Sequence, residues 1–284
     1  MYSQEITRRH RSAMVIVLDR SGSMQEQMSY GHTQTTKAEI LAHTASSLVT
    51  ELIDRCRRTD ALRDYYDVAV IGYGNNEVEM LLGSEGFLSV VELDRKQPPY
   101  STQAFEELLP NGEWAMVEHQ YIEWFKPKAE GNTPMYEAMM RVRDLVSEWC
   151  AKPENRECFP PVVIHITDGE ASDCDHRELI DICNQIKHQA TTDGEILLLN
   201  IHISTNTSLP AIVFPMPDEL IGADSYVQTL AECSSLMPAA FDEEIRELKG
   251  FTAIPPFIGL GFNASVIDLL SIINIGSRSI SNMQ

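Results

Sequence analysis

Apolar positions along the chain follow two patterns, short continuous runs and longer stripes with helical spacing. Between the runs, apolar residues recur every three or four positions, as on one face of a helix. The runs have the length and β-branched content of strands buried on both faces; they are Ala13–Leu18, Tyr66–Tyr73, Pro161–Thr167 and Ile196–Ile203. This alternation predicts an α/β fold, Rossmann-like, with a mostly parallel central sheet and helices on both of its faces.

Local signals indicate where several helices begin. Thr36 and Glu39 have the spacing of a capping box, and the apolar stripe that follows comprises Leu41, Ala45, Leu48, Leu52 and Cys56. Thr133-Pro134 opens another helix, because proline is tolerated in a first turn. Further helices are predicted at Asp224–Leu236, at Asp242–Lys249 and after Asp168-Gly169, where Leu179, Ile182, Cys183 and Ile186 would face inward.

Two parts of the chain depart from simple alternation. Val78–Leu82 has the pattern of a short edge strand, and the segment after it, residues 84–130, has the character of an insertion. Within that insertion Phe87–Leu93 is strand-like, and an acidic patch near Phe105–Leu109 has helical character. A last apolar segment is Asn263–Ile275.

These observations predict a single domain over residues 1–284. Its core occupies about residues 10–240, with the insertion at 84–130 and a C-terminal extension at 241–284.

The charge balance narrows the possible partners. The chain has 284 residues, with 22 Lys and Arg against 42 Asp and Glu, a net charge of −20. Nucleic-acid binding needs clustered cations, and docking on anionic lipid needs basic surface, so neither partner is expected. A cation or the basic surface of another protein fits this charge better.

Segments that would direct the chain to or through a membrane are not expected. No run approaches the roughly 18 apolar residues of a spanning helix, and Ala13–Leu18 is too short and wrongly flanked for a signal peptide. The six cysteines show no close repeated spacing and suit reduced thiols. A cytoplasmic location is therefore predicted.

Oxygen-bearing side chains concentrate in three loops: Asp19-Arg20-Ser21-Gly22-Ser23, Gly131-Asn132-Thr133-Pro134 and Thr167-Asp168-Gly169. Two of these loops directly follow buried strands, and ligands of such folds lie outside the carboxyl ends of the strands. Asp19 and Asp168 are therefore expected at one edge of the sheet. Mg²⁺ or Mn²⁺ prefers such oxygen ligands. With one carboxylate and two hydroxyls in the first loop, the ion keeps positive charge and would accept an anionic ligand from outside.

The segments VIVLDRSGSM, GNTPMYEAM and VIHITDGEASD, taken together, resemble the von Willebrand factor type A family. The resemblance covers about residues 10–240 and implies a metal-ion-dependent adhesion site. On that resemblance Asp19, Ser21 and Ser23 match the D-x-S-x-S positions, Thr133 the threonine of the second loop and Asp168 the aspartate of the third. In the family the hydroxyls bind the metal directly, and the aspartates act directly or through water.

The resemblance also implies a function. It predicts a metal-dependent protein-binding module that captures an Asp or Glu carboxylate of a partner, and no enzymatic activity. The tail, with Ser234–Pro238 and Gly261–Leu270, is most similar to bacterial intracellular members. These members are often encoded with a kinase, a phosphatase or an AAA-type ATPase in stress, metal-resistance or phage-defence clusters, so an adaptor role beside such a partner is expected.

Two other functions are compatible with the sequence. An accessory subunit could present clients to an AAA-type ATPase of the MoxR or chelatase kind, which would be a separate protein because this chain has no Walker A motif. A metal-assisted phosphohydrolase would use Asp19, but it needs a second aspartate where Ser21 stands. A serine hydrolase would need a G-x-S-x-G elbow, which the segment around Ser21 does not provide.

The candidate ligands also have simpler interpretations. Asp19, Ser21 and Ser23 are residue types that form turns, and Asp168 precedes a glycine as turn residues do. Thr133 is suited to cap the helix that follows it.

Overall fold

A central sheet of eight strands organises the chain. The computed structural model describes residues 2–30, 33–59, 61–108, 112, 114–204, 211–264 and 266–277. The strands are β1 (Ser12–Asp19), β2 (Gln27–Tyr30), β3 (Thr33–Thr36), β4 (Tyr66–Gly74), β5 (Glu77–Met80), β6 (Leu88–Ser89), β7 (Tyr100–Leu108), β8 (Trp114–Ile122), β9 (Val162–Thr167), β10 (Leu197–Ile203), β11 (Ile212–Val213) and β12 (Leu260–Ala264). The helices are α1 (Lys37–Arg55), α2 (Val90–Asp94), α3 (Met135–Ala151), α4 (His176–Lys187), α5 (Ser225–Cys233), α6 (Asp242–Lys249) and α7 (Val266–Ser277).

The strand order confirms the predicted fold class. The sheet runs β11-β12-β10-β9-β1-β4-β5, and β6 also pairs with β4. β12, β10, β9, β1 and β4 are parallel to one another, whereas β11, β5 and β6 add antiparallel strands at its ends. β1 therefore lies inside the sheet, and all eight of its residues are buried.

Helices cover both faces of the sheet. Ile16 and Leu18 of β1 belong to the same buried cluster as residues of α1 and α7. Val15 and Val17, which point to the opposite face, belong to the cluster that contains residues of α3 and α4. The central strands are mostly apolar because neither face meets water.

Local sequence signals account for much of this arrangement. Thr36 Oγ1 accepts from the backbone N–H of Glu39 at 3.1 Å, and Glu39 Oε2 accepts from the backbone N–H of Thr36 at 2.8 Å. This capping box starts α1 where it was predicted, and the stripe from Leu41 to Cys56 is buried. The predicted edge strand at Val78–Leu82 corresponds to β5, which is the last strand on its side.

Two predictions about the segment at residues 84–130 are wrong. Phe87–Leu93 is not a strand along its length, because Ser89 and Glu92 form a second capping box that starts α2. The patch at Phe105–Leu109 is not helical up to its last described residue, Leu108, because β7 pairs with β8 over its whole length. Leu109 lies outside the described residues. The hairpin of β7 and β8 lies against α1, where the rings of Tyr121 and His43 are 4.5 Å apart.

Three further segments differ from the sequence-based expectation. The loop after β1 contains an antiparallel hairpin of β2 and β3. The helix predicted at Asp224–Leu236 ends at Cys233, and Asp224 caps its first turn. The part of the chain interpreted as a C-terminal extension supplies β12, which pairs in parallel with β10. The remainder of that extension, from residue 278, lies outside the described residues.

Among the described residues, no helix has both the length and the apolar character needed to cross a bilayer.

A chain of buried polar groups runs across the sheet from β4, past β1, to β9 and β10. Tyr73 Oη lies 2.8 Å from His165 Nε2, His165 Nδ1 lies 2.8 Å from Asn200 Oδ1, and Asn200 Nδ2 donates to Ser234 Oγ at 3.0 Å. Because the Asn200 oxygen can only accept, His165 carries a proton on Nδ1. Burial lowers the pKa of His165 to about 4, so the ring is neutral at pH 7 and its Nε2 accepts a hydrogen bond from the Tyr73 hydroxyl.

His165 makes the stability of the fold depend on pH. Its pKa is about 4 in the folded chain and about 6.5 in an unfolded one, so the unfolded chain binds more protons between these values. The contribution of His165 to the free energy of unfolding is therefore retained above pH 6.5 and is lost progressively as the pH drops towards 4. His165→Phe leaves Tyr73 and Asn200 without this partner and is less stable than wild type at pH 7. At pH 5 the difference in free energy of unfolding between the two proteins is smaller by about 2 kcal/mol, because only wild type loses stability through this histidine. Urea unfolding at both pH values measures it, and an unchanged difference would show that His165 does not titrate in this way.

Candidate functional site

The site begins with a carboxylate buried inside the sheet. Asp19 is the last residue of β1 and is 1% exposed. Its Oδ1 accepts from the backbone N–H of Ser21 at 2.9 Å, and its Oδ2 accepts from Thr167 Oγ1, at the end of β9, at 2.7 Å. Burial raises the pKa of Asp19, whereas the hydrogen bonds from Ser21 and Thr167 lower it and the charge of Asp168 raises it. One oxygen of Asp19 thus makes the local contact of a turn residue, and the other links β1 to β9.

The two serine hydroxyls lead from Asp19 towards the second aspartate. Ser21 Oγ and Ser23 Oγ are 3.1 Å apart, and Ser23 Oγ donates to Asp168 Oδ1 at 2.6 Å. Ser21 is buried and Ser23 is exposed, so the row of oxygens runs from the interior to solvent. Asp19, Ser21, Ser23 and Asp168 therefore form one hydrogen-bonded group, although Asp168 is 145 residues from Ser23 in sequence.

The first loop is held in shape by close backbone contacts. A Cβ atom on Gly74, in β4, would lie 2.5 Å from the carbonyl oxygen of Arg20. On its other side the loop bonds to the second loop, where Gly22 N donates to Gly131 O at 2.9 Å and Glu130 N donates to Arg20 O at 2.9 Å. Gly131 adopts φ +63°, a conformation that favours glycine.

Thr133 joins the site through its backbone. Its N–H donates to Ser172 Oγ at 3.0 Å, and its carbonyl oxygen accepts from Ser172 N at 3.0 Å, which ties the second loop to the third. The residue at the cap position of α3 is Pro134, so the structure does not assign that role to Thr133. Instead, the Asp173 carboxylate of the third loop accepts from the N–H groups of Tyr136 and Glu137 at the start of α3.

Asp168 has a role beyond the turn that it precedes. The local turn is made by Thr167, whose Oγ1 accepts from Gly169 N at 3.2 Å. The side chain of Asp168 has 0% exposure, and its Oδ2 accepts from Lys37 Nζ at 2.9 Å. Asp168 thus connects the first loop, through Ser23, with the start of α1.

Lys37 is the residue of this site that the sequence did not single out. Its side chain is 4% exposed, and its Nζ also donates to Glu26 Oε2 at 2.7 Å. Burial alone lowers the pKa of Lys37, but the hydrogen bonds and negative charges of Glu26 and Asp168 outweigh burial and raise it. One signal was available: a lysine in the first turn of a helix opposes the helix dipole, so it needs acidic partners.

The donor set fits a hard divalent cation. The candidate ligands are carboxylates and hydroxyls, which suit Mg²⁺ and Mn²⁺. Asp19 is a buried carboxylate with a raised pKa, and a nearby cation would favour its ionised form. Over the described ranges, no three His, Cys, Asp or Glu side chains come together that could hold a metal ion. Any metal here would therefore depend on the serine and threonine hydroxyls.

Solved structures with a similar chain course include two from the family that the loops resemble. One is von Willebrand factor type A from Catenulispora acidiphila, 13% identical with a TM-score of 0.42, matched over 79% of this chain and 43% of that chain. Another is the vWF domain of the type V pili tip protein Mfa5 from Porphyromonas gingivalis, 14% identical with a TM-score of 0.32, matched over 72% of this chain and 56% of that chain. This chain thus spans about half the length of both.

A third match is an uncharacterized membrane spanning protein from Vibrio fischeri, 12% identical with a TM-score of 0.27, over 86% of this chain and 100% of that chain. No protein-family model and no curated protein matches this chain.

Gly74 tests the packing that shapes the first loop. In Gly74→Ala the new methyl group would lie 2.5 Å from the Arg20 carbonyl oxygen and 2.7 Å from its carbon, so β4 or the loop must move. We expect the free energy of unfolding in urea to fall by about 1–3 kcal/mol. The matched control is Gly86→Ala, whose added methyl group meets nothing within 4 Å. It should change stability by less than about 0.5 kcal/mol, and equal stability of the two variants would contradict the proposed close contact.

Proposed function

We propose that this chain is a metal-dependent protein-binding module. Mg²⁺, or Mn²⁺, is held by Asp19, Ser21, Ser23, Thr133 and Asp168, and it accepts the carboxylate of an Asp or Glu residue from a partner protein. The observation that carries the proposal is the row of oxygens from buried Asp19 through Ser21 and Ser23 to Asp168. The metal would supply a Lewis-acidic centre for the incoming carboxylate.

The charges around the site support an anionic partner. Asp19 and Asp168 are the two carboxylates among the proposed ligands, and Asp168 already shares its charge with Lys37. A divalent ion held by this set therefore keeps positive charge for one more anionic ligand. Ser23 is exposed, which leaves an approach from solvent.

The net charge of the chain supports metal dependence. At −20, the protein repels acidic surfaces over distances of about 10 Å at ordinary salt. A partner carboxylate would then gain from contact where the ion supplies a local positive charge. Removal of the ion would remove the group that binds the partner carboxylate and leave the repulsion between the two acidic surfaces.

Binding accounts for these residues better than catalysis. Hydrolysis by a serine hydroxyl needs a base within hydrogen-bond reach. The carboxylate beside Ser23 Oγ is Asp168, and its other oxygen is already paired with Lys37. Buried His165 is not available to Ser23 as a base, because both of its ring nitrogens have other partners. We propose an adaptor role, in keeping with the resemblance to bacterial members of the family, with a kinase, a phosphatase or an AAA-type ATPase as partner.

Asp19 tests the metal site directly. We expect wild-type protein to bind Mg²⁺ in isothermal titration calorimetry at pH 7.5, and Asp19→Ala to bind it at least about 100-fold more weakly, since a buried anionic ligand is lost. Asp181→Ala, which removes an exposed aspartate of α4, is the control with the same change in net charge and should bind as wild type does. Equal Mg²⁺ affinity of wild type and Asp19→Ala would contradict the site.

A pull-down tests the carboxylate bridge. Tagged protein is incubated with source-cell lysate in Mg²⁺, in EDTA, and as Asp19→Ala in Mg²⁺. A partner retained only by wild type in Mg²⁺ supports the proposal and identifies the pathway. Substitution of single Asp or Glu residues of that partner should then abolish capture at one position. A partner retained in all three samples would refute capture through the metal.

A further inference from the structure

A buried lysine lies against the candidate metal ligands. Lys37 is the first residue of α1, directly after the β2–β3 hairpin, and its side chain is 4% exposed. Its ammonium group lies 2.9 Å from Asp168 Oδ2 and 2.7 Å from Glu26 Oε2. The backbone supports this position, because Lys37 N donates to Glu26 O at 3.0 Å.

The two carboxylates that Lys37 contacts differ in burial. The Glu26 side chain is 59% exposed, so water stabilises much of its charge. The Asp168 side chain has 0% exposure, and an unpaired carboxylate there would be costly. The ammonium group therefore matters most for Asp168.

Asp168 divides its oxygens between two neighbours. Oδ1 accepts from Ser23 in the first loop, and Oδ2 accepts from Lys37. Oδ1 thus lies on the side of the proposed ligands, against Ser23, while Oδ2 is already paired with a fixed cation. Two other cations near this edge have other partners: Arg20 pairs with Glu79, and Lys128 lies 3.6 Å from Glu79.

We propose that Lys37 is a built-in counter-cation that competes with the divalent ion for Asp168 and sets the metal affinity of the site. This inference rests on the proposed metal site. The ammonium group holds the Asp168 carboxylate in place when the ion leaves, and it lowers the affinity for the ion when it returns. It also reduces the negative charge that the protein donates to the ion, which leaves the ion more attractive to a partner carboxylate.

The size of the effect follows from Coulomb's law. A unit positive charge about 6 Å from a divalent ion weakens its binding about tenfold even at the dielectric constant of water. Removal of the Lys37 charge should therefore tighten Mg²⁺ binding by about tenfold or more.

Two substitutions of Lys37 test the inference. Lys37→Met removes the charge and the donors, whereas Lys37→Gln removes the charge and keeps an amide donor that can bond Asp168. Lys37→Gln therefore keeps the test available if Lys37→Met fails to fold, as judged by far-UV circular dichroism. Lys128→Met is the matched control, because it makes the same charge change beside acids that are not proposed ligands.

The measurement is Mg²⁺ affinity by calorimetry at pH 7.5, with the Mg²⁺-induced increase in the urea unfolding midpoint as a second readout. We expect both Lys37 variants to bind Mg²⁺ about tenfold more tightly than wild type, and Lys128→Met to stay within about twofold. The Lys37 variants should be less stable than wild type in EDTA and gain more stability from Mg²⁺, because Asp168 then depends on the ion for its counter-charge.

The outcomes separate this inference from the proposed function. If wild type binds Mg²⁺ through Asp19 and the Lys37 variants bind it equally or more weakly, the role of Lys37 is refuted and the metal site stands. If wild type does not bind Mg²⁺ but Lys37→Gln does, in a manner abolished by Asp19→Ala, the inference is supported in its strongest form. If none of these proteins binds Mg²⁺, both proposals are refuted.

Discussion

The burial of a carboxylate at the end of the central strand constrains much of this molecule. Asp19 can be buried only because the surrounding groups compensate for the loss of water. The N–H of Ser21 and the hydroxyl of Thr167 bond its two oxygens. The first donor is local, two residues along the chain, whereas the second is in place because β1 and β9 are parallel neighbours that end at the same edge. The strand order therefore helps an acidic residue to be buried at the end of a central strand.

The loops around Asp19 form a connected frame. The first loop bonds to the second through Gly22 and Gly131, the second bonds to the third through Thr133 and Ser172, and the third returns to the first through Asp168 and Ser23. Each of these contacts uses backbone groups or short side chains, which lose little conformational freedom on ordering. Asp19, Ser23 and Asp168 are thus held in place by the fold itself, which would lower the entropic cost of binding the proposed ion.

One cation of this frame is fixed, because Lys37 is part of the chain and pairs with Asp168. The proposed divalent ion would be a second, exchangeable cation that comes from solvent. A site with both would remain folded without metal and still respond to it. Deeper in the sheet, the polar groups of Tyr73, His165 and Asn200 satisfy one another and need no added ion.

The sequence alone predicted the features that depend on neighbours in the chain. Buried strands were evident from continuous apolar runs, α1 from the capping pair Thr36 and Glu39, and the first candidate loop from the spacing of Asp19, Ser21 and Ser23. The same signals failed where long-range pairing prevailed, as at residues 105–108, whose strand forms because β8 pairs with them. In the same way, β12 is a strand of the central sheet because β10 offers it an edge.

The tertiary structure alone decided which charges meet. Lys37 and Asp168 are 131 residues apart in sequence, and no local pattern connects them. They meet because α1 packs on the sheet with its first turn at the carboxyl ends of β1 and β9. Electrostatic energy depends on distance and on burial, and a sequence specifies neither until the chain has folded. For that reason the loops that bring Asp19, Ser23 and Asp168 together could be predicted from the sequence, whereas the lysine that pairs with Asp168 could not.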